Sequence, residues 1–154
     1  MVIDLSEMRG VYVDTKTRTA KVEGGALLQD LDREGQSYGL VCPAGVVSHT
    51  GVAGLTLGGG IGILMRKYGL TIDNLLSVDI VTADGKLRHA SADENPDLFW
   101  GVRGGGGNFG VVSMLEYRLH EFGPNILTSS SFYEQSQAKD MFNRFFENSE
   151  NVPN

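Results

Sequence analysis

Thirteen of the 21 glycines in this chain fall in two short stretches, seven within residues 45–62 and six within residues 101–110. Glycine serves where a backbone must take positive φ, turn tightly or let a ligand touch the main chain. From Gly45 to Gly62 there is no Asp, Glu, Lys or Arg. A ligand held there would be held by backbone N–H groups, whose concave nests suit phosphate, carbonyl and anionic oxygens. Small residues would let a planar ring lie against the chain. Arg66 and Lys67 follow at once and read either as a positive fringe or as a solvated helix end. Large apolar residues (Val46, Val47, Leu55, Leu57, Ile61, Phe109) lace both stretches, which argues for packed segments rather than loose loops.

Other sources of chemistry are sparse. Gly105-x-Gly107-x-x-Gly110 matches the dinucleotide pattern in letters only. That fingerprint needs a strand before it and a helix N-terminus after it. Here a helical stretch precedes and the strand-like Val111–Leu115 follows. No glycine is followed by Lys-Ser or Lys-Thr at Walker spacing. Three dispersed histidines and one cysteine make no metal site. Cys42 reads as a small buried apolar residue, and His89 and His120 as structural. Asp73, Asp79 and Asp84 fall in turns or at strand edges, where capping or solvation is their expected role. Tyr68 and Tyr117 read as core or surface aromatics.

The elements that must position these stretches are legible in outline. Val2–Leu5 predicts a strand. Gly10–Asp14 and Thr19–Glu23 predict a hairpin about Thr15–Arg18. Leu27, Leu28, Leu31 and Tyr38 predict a helix over 26–38 that ends at Gly39. Residues 76–82 and 86–90 flank Asp84-Gly85, a hairpin turn. Asn95-Pro96-Asp97 opens a short helix, and Gly110–Leu119 predicts a long strand. Ile126–Tyr133 predicts another strand. Ala138, Met141, Phe142, Phe145 and Phe146 predict an amphipathic helix over 137–147 with Ser136 as its N-cap and a frayed tail from Glu147. Hairpins dominate, so the expected class is α+β with an antiparallel sheet flanked by helices. The expected domains are 1–122 and 123–154, the second too short to stand alone.

The chain has 154 residues and a net charge of −6. The acidic balance argues against nucleic acid as a partner. Gly58-Gly59-Gly60 breaks the longest apolar run, which argues against a membrane span. One cysteine cannot form an internal disulfide, and no signal peptide opens the chain, so a cytoplasmic location is expected.

Five strings, in one order and with consistent spacing, resemble a known family. They are Ser48–Gly62 (SHTGVAGLTLGGGIG), Met65–Asn74 (MRKYGLTIDN), Val81–Gly85 (VTADG), Asn95–Trp100 (NPDLFW) and Arg103–Val112 (RGGGGNFGVV). Together they are similar to the flavin-binding domain of the berberine-bridge-enzyme-like FAD-linked oxidases, within the vanillyl-alcohol-oxidase fold group. The likeness runs from about residue 2 to 122. It implies the second subdomain of a PCMH-type FAD-binding domain, with FAD extended between two subdomains. By position, Pro43, Gly45, Val46, Ser48, His49, Gly51, Val52 and Gly54 would line the pyrophosphate, ribityl and isoalloxazine region. Gly59, Gly60 and Gly62 would support that wall, and Gly110, Val111 and Val112 would approach the adenine side. His49 would either hydrogen-bond the cofactor or be satisfied by backbone in a tight loop.

Departures qualify the likeness. Where some members bind flavin through a cysteine this chain has Val47, and where some place a histidine it has Leu55. FAD would therefore be held non-covalently through this segment. The family's upstream glycine-rich segment, with its flavin-linking histidine, would precede Val2, and most of the substrate domain would follow residue 154. The chain thus reads as an interior piece of an oxidase. The parent would oxidise an alcohol or amine carbon of a small molecule by hydride transfer to flavin, with oxygen as acceptor. Two alternatives stand beside this: an inactive remnant that binds FAD weakly or not at all and self-associates through exposed edges, and a stand-alone nucleotide-binding module. No residue qualifies as the catalytic acid or base.

Overall fold

A computed structural model describes residues 2–149. They divide into two units, one reaching Pro124 and one starting at Asn125. The first unit runs β1 (Val11–Asp14), β2 (Thr19–Glu23), α1 (Leu28–Gln36), β3 (Leu40–Val41), α2 (Val52–Leu57) and α3 (Met65–Tyr68). It continues with β4 (Leu75–Val81), β5 (Leu87–Ser91), α4 (Pro96–Gly105), β6 (Val111–Arg118) and β7 (His120–Glu121). The five long strands form one sheet in the order β1-β2-β6-β4-β5, with every pairing antiparallel. β3 and β7 form a separate two-stranded ladder. The α+β antiparallel arrangement expected from the hairpins is the one observed.

Strand alternation assigns the two faces of the sheet. Ala20, Val22, Val78, Ile80, Ala90, Leu115 and Tyr117 are buried on one face, against Leu28 and Leu31 of α1, Val52 of α2, and Phe99 and Val102 of α4. The other face is polar. There Glu116 stands opposite both Lys21 and Ser77, and the Ser77 hydroxyl donates to its carboxylate at 2.8 Å. His89 and Asp79 pair across β4 and β5 at 2.7 Å, a structural role for that histidine. At the tip of this hairpin Gly85 takes φ 74°, while the Asp84 carboxylate accepts from the Thr82 hydroxyl and the Lys86 amide.

The expected strand at Val2–Leu5 does not form. No strand of the sheet offers it a ladder. Residues 2–10 instead turn back, with Met8 N–H donating to Leu5 O, and lie on the Gly24-Gly25 pair. A Cβ on Gly25 would sit 1.7 Å from Leu5 O, so the approach requires glycine. Arg9 then clamps the segment to α1 through two nitrogens on the Asp30 carboxylate, at 2.7–2.9 Å. Burial opposes ionisation of Asp30. The Leu27 amide and the Arg9 and Arg33 guanidinium groups outweigh it and hold the carboxyl below its usual range.

In the second unit the expected strand at Ile126–Tyr133 is also absent, because a strand needs a neighbour to satisfy its backbone. A 3₁₀ turn at Gln135–Gln137 leads into α5 (Ala138–Ser149), so the helix forms where the periodicity places it. Ser136 is not its N-cap. It lies inside the 3₁₀ turn, and Glu134 precedes that turn with its amide donating to Gln137 Oε1. The expected fraying from Glu147 is not seen up to Ser149, and residues 150–154 lie outside the described residues. No helix among the described residues is long and apolar enough to cross a membrane.

One buried amide side chain organises the turn between α3 and β4. Asn74 is 2% exposed, and its Nδ2 donates to the carbonyls of Tyr68 and Leu70. Its Oδ1 must therefore accept from His120 Nε2, 2.7 Å away, which fixes the Nε2–H tautomer. The His120 ring stacks on Tyr68 at 4.0 Å. Burial, with the nearby Arg118, lowers the His120 pKa. The folded state thus favours the neutral ring. Stability should be full above about pH 6.5, the unfolded value, and fall as the pH drops through the lower folded value. Subtracting the unfolding curve of His120→Gln from that of the wild type, between pH 5 and 8, should isolate this loss. A difference independent of pH would refute it.

Candidate functional site

The site grows from a helix start. The first amides of a helix have no intrahelical acceptor. At α1 the amides of Leu28 and Gln29 donate instead to Thr50 O and Ser48 O, both at 2.9 Å. The Thr50 amide turns back onto Val47 O at 3.0 Å. The glycine-rich loop therefore directs two carbonyls at the start of α1 and closes one turn on itself. Its own amides, from Ala44 through His49, have no acceptor among the described residues. Six successive N–H groups, in a loop with no acidic or basic side chain, are thus left available to an outside acceptor.

Three further contacts shape the wall. Pro43–Gly45 lies against Ile61–Gly62 so closely that a Cβ on Gly62 would sit 1.8 Å from Ala44 O. Gly59 O and Gly60 O accept the amides of Ile72 and Thr71 at 3.0 Å, anchoring the Gly58–Gly60 turn from behind. Gly59 and Gly60 take φ of 114° and 78°, which makes them glycine positions. The Thr71 hydroxyl, directly under Gly60, is buried with no hydrogen-bond partner. Between these arms the chain forms α2, a short helix inside the glycine-rich segment that the composition did not announce. Its C-terminal end is tied to the sheet by Thr56 Oγ1 and Tyr117 Oη, 2.7 Å apart and both fully buried.

The expected site residues separate into groups. Val46 (71% exposed), Ser48, His49, Gly51 and Gly54 present themselves at the surface of the wall, and no neighbour lies within 4 Å of a Cβ placed on Gly51 or Gly54. Pro43 is buried, and Gly45, Gly59, Gly60 and Gly62 are half-buried in the wall itself. Val52 is turned away. Its side chain is in the core and its amide donates to Ala26 O at 2.9 Å. Val111 and Val112 belong to the sheet ladder, and Gly110 immediately precedes it. Val111 and Val112 stand opposite Val81 and Ile80, Val112 is 5% exposed, and Gly110 packs on Val81 O. The His49 ring has no partner among the described residues, so the tight-loop alternative, a histidine satisfied by backbone, is not what forms.

Cys42 lies in the core, 3% exposed, and burial pushes its thiol pKa far up, so it is no nucleophile. Lys67 caps the Tyr68 ring at 5.3 Å. α4 is helical to Val102 and then bends at Arg103 (ψ 77°) and Gly104 (φ 111°). A 3₁₀ turn at Gly106–Asn108 follows, and β6 begins at Val111. Helix before, strand after, is the reverse of a dinucleotide fingerprint, as the sequence order required. α2 packs against both α4 and this turn, so the two glycine clusters meet at α2. The sequence pattern does not join Thr56 to Tyr117, 61 residues away. Their signal was available, because a tyrosine at a buried position of a central strand needs a partner for its hydroxyl.

Comparisons with known proteins agree on one family. A family profile described as an FAD binding domain matches residues 1–91. The FAD-linked oxidoreductase pgmH of Aspergillus terreus is 45% identical over 140 residues, covering 91% of this chain and 28% of that protein. The (R)-6-hydroxynicotine oxidase of Paenarthrobacter nicotinovorans is 44% identical over 121 residues, covering 79% of this chain and 26% of its own length. Among solved structures, 6-hydroxy-D-nicotine oxidase from Arthrobacter nicotinovorans superposes with a TM-score of 0.76 at 44% identity, over 78% of this chain and 26% of that one. A chitooligosaccharide oxidase superposes at 0.72 and 37% identity, over 76% and 25%. The chain thus spans about a quarter to a third of the length of such relatives. With more than half its residues inside the matched profile and these identities along the rest, it belongs to the FAD-linked oxidoreductases built on the PCMH-type FAD-binding domain.

Proposed function

We propose that residues 43–62 form one wall of an FAD site in an oxidoreductase acting on an alcohol or amine carbon of a small molecule. The observation that carries this is the run of amides from Ala44 to His49 without an acceptor among the described residues, in a loop free of acidic and basic side chains. Such donors fit a pyrophosphate or a flavin carbonyl, so the residues present fit the cofactor that the family implies. Bound flavin would supply the hydride acceptor, with oxygen reoxidising it. The chain's own residues would bind and orient. Amides 44–49 donate, Gly51 and Gly54 allow close approach, and exposed Val46, Ile61 and Ile63 exclude water around the ring. Val47, an apolar side chain, offers no covalent link. Relatives that include a 6-hydroxynicotine oxidase and a chitooligosaccharide oxidase are consistent with either carbon class.

A second reading concerns the 154 residues alone. In the second unit Leu127 and Phe132 are over 90% exposed, and Phe142, Phe145 and Phe146 over 60%. That much apolar surface favours self-association and weak cofactor binding by the isolated chain. The sheet edges contribute less, because β1 is four residues long and Lys86 and Arg88 guard β5.

Two measurements test the first reading. Titration with FAD, followed by flavin fluorescence, should show saturable binding below ~100 μM, an affinity of about 5 kcal/mol or more. No change at that concentration would remove the reading for this chain, and flavin absorbance that stays with acid-precipitated protein would overturn the non-covalent assignment. Gly54→Leu should leave stability unchanged or raise it by up to about 1 kcal/mol, since leucine is the better helix former and the space there is open. The same side chain would project from the wall and weaken FAD binding by about tenfold or more, a loss of ~1.4 kcal/mol. Unchanged affinity would move the ligand off Gly54.

A further inference from the structure

We propose that the buried hydroxyl pair Thr56–Tyr117 is a positioning device that sets the orientation of α2, and through it the aim of the unpaired amides that line the wall. The proposal rests on the FAD reading above. α2 has six residues and buries only Val52, Thr56 and Leu57. So short a helix has little apolar area with which to fix its own rotation. Its flanking arms are tied to α1 and to Thr71 and Ile72, and the helix itself is held at two points. At its N-terminal end the Val52 amide donates to Ala26 O at 2.9 Å. At its C-terminal end Thr56 Oγ1 and Tyr117 Oη meet at 2.7 Å. Residues 44–51 run directly into the first of these points, and the Gly58–Gly60 turn runs out of the second. Rotation of α2 would swing both arms of the wall together.

Tyr117 is well placed to serve as the fixed end. It lies in β6, the central strand, opposite Ala20 of β2 on one side and Leu75 of β4 on the other. Its ring is fully buried in the core cluster. Burial, reinforced by Cys42, raises the phenol's pKa well above its ordinary value, so the hydroxyl stays protonated and the tether does not depend on pH. A merely structural pair and a positioning pair differ in what removing both hydroxyls does. Removing one leaves its partner buried and unsatisfied, whereas replacing both by apolar groups of similar shape is nearly neutral for stability.

The test uses the whole chain and four variants: Thr56→Val, Tyr117→Phe, the double variant, and Ser77→Ala. The last breaks the Ser77–Glu116 bond on the opposite face of the sheet and controls for general destabilisation. Each is unfolded in denaturant and titrated with FAD. Both single variants should lower the unfolding midpoint and weaken FAD binding about fivefold or more, the equivalent of one lost hydrogen bond. The double variant should regain the wild-type midpoint yet keep the weakened FAD binding and an altered bound-flavin absorption spectrum. Ser77→Ala should bind FAD as the wild type does. Recovery of affinity along with stability in the double variant would reduce the pair to a structural contact and overturn the proposal, as would equal weakening by Ser77→Ala. Failure of the wild type itself to bind FAD would overturn the site reading and this proposal together, and it is told apart by the absence of binding in every sample.

Discussion

The start of α1 needs acceptors for its leading amides, and the glycine-rich loop supplies them. Ser48 O and Thr50 O cap Gln29 and Leu28, and this exchange fixes the direction of those two peptide units. A peptide unit presents its N–H and C=O on opposite sides, so a loop that points its carbonyls at a helix end points neighbouring amides away from it. The outward N–H groups of His49 and Gly51 are thus a consequence of capping a helix. The glycines, the anchoring of Gly59 and Gly60 on Thr71 and Ile72, and the contact of Gly62 with Ala44 all hold that orientation.

An unpaired backbone donor is costly only where water and ligands cannot reach it. Val46, Ser48, His49 and Gly51 are exposed, so the loop can keep its amides free without destabilising the fold. Around them the tolerance for change is low. Beneath Gly60 the Thr71 hydroxyl lacks a partner, and behind α2 two hydroxyls satisfy only each other. The segment is therefore exposed at its surface and closely packed at its support.

The two units differ in how far they are self-sufficient. The first closes a core of helices on one sheet face and satisfies its strands by mutual pairing. The second has an amphipathic helix whose aromatic side chains stay exposed and an apolar stretch, Ile126–Tyr133, that remains without a ladder. Relatives three to four times longer match across most of this chain, and the alignment with pgmH covers 91% of it.

Period and turn chemistry alone determined most of the architecture. Asp84-Gly85, the Thr15–Arg18 turn and the alternation in Thr19–Glu23 and Val111–Arg118 placed both hairpins and the central strand, because those signals are local. The clustering of glycine marked residues 45–62 as a segment of special backbone for the same reason. Strand pairing is not local: Val2–Leu5 and Ile126–Tyr133 have strand composition, yet neither finds a neighbour, and a strand without a ladder does not form. Only the tertiary structure turned Val52 into the core, took Val112 into the ladder and aimed the amides of 44–49 outward. Those outcomes depend on what lies across from each residue, the carbonyl of Ala26, the strand β4 and the open end of α1. The meeting of Thr56 with Tyr117, 61 residues apart in the chain, belongs to the same class.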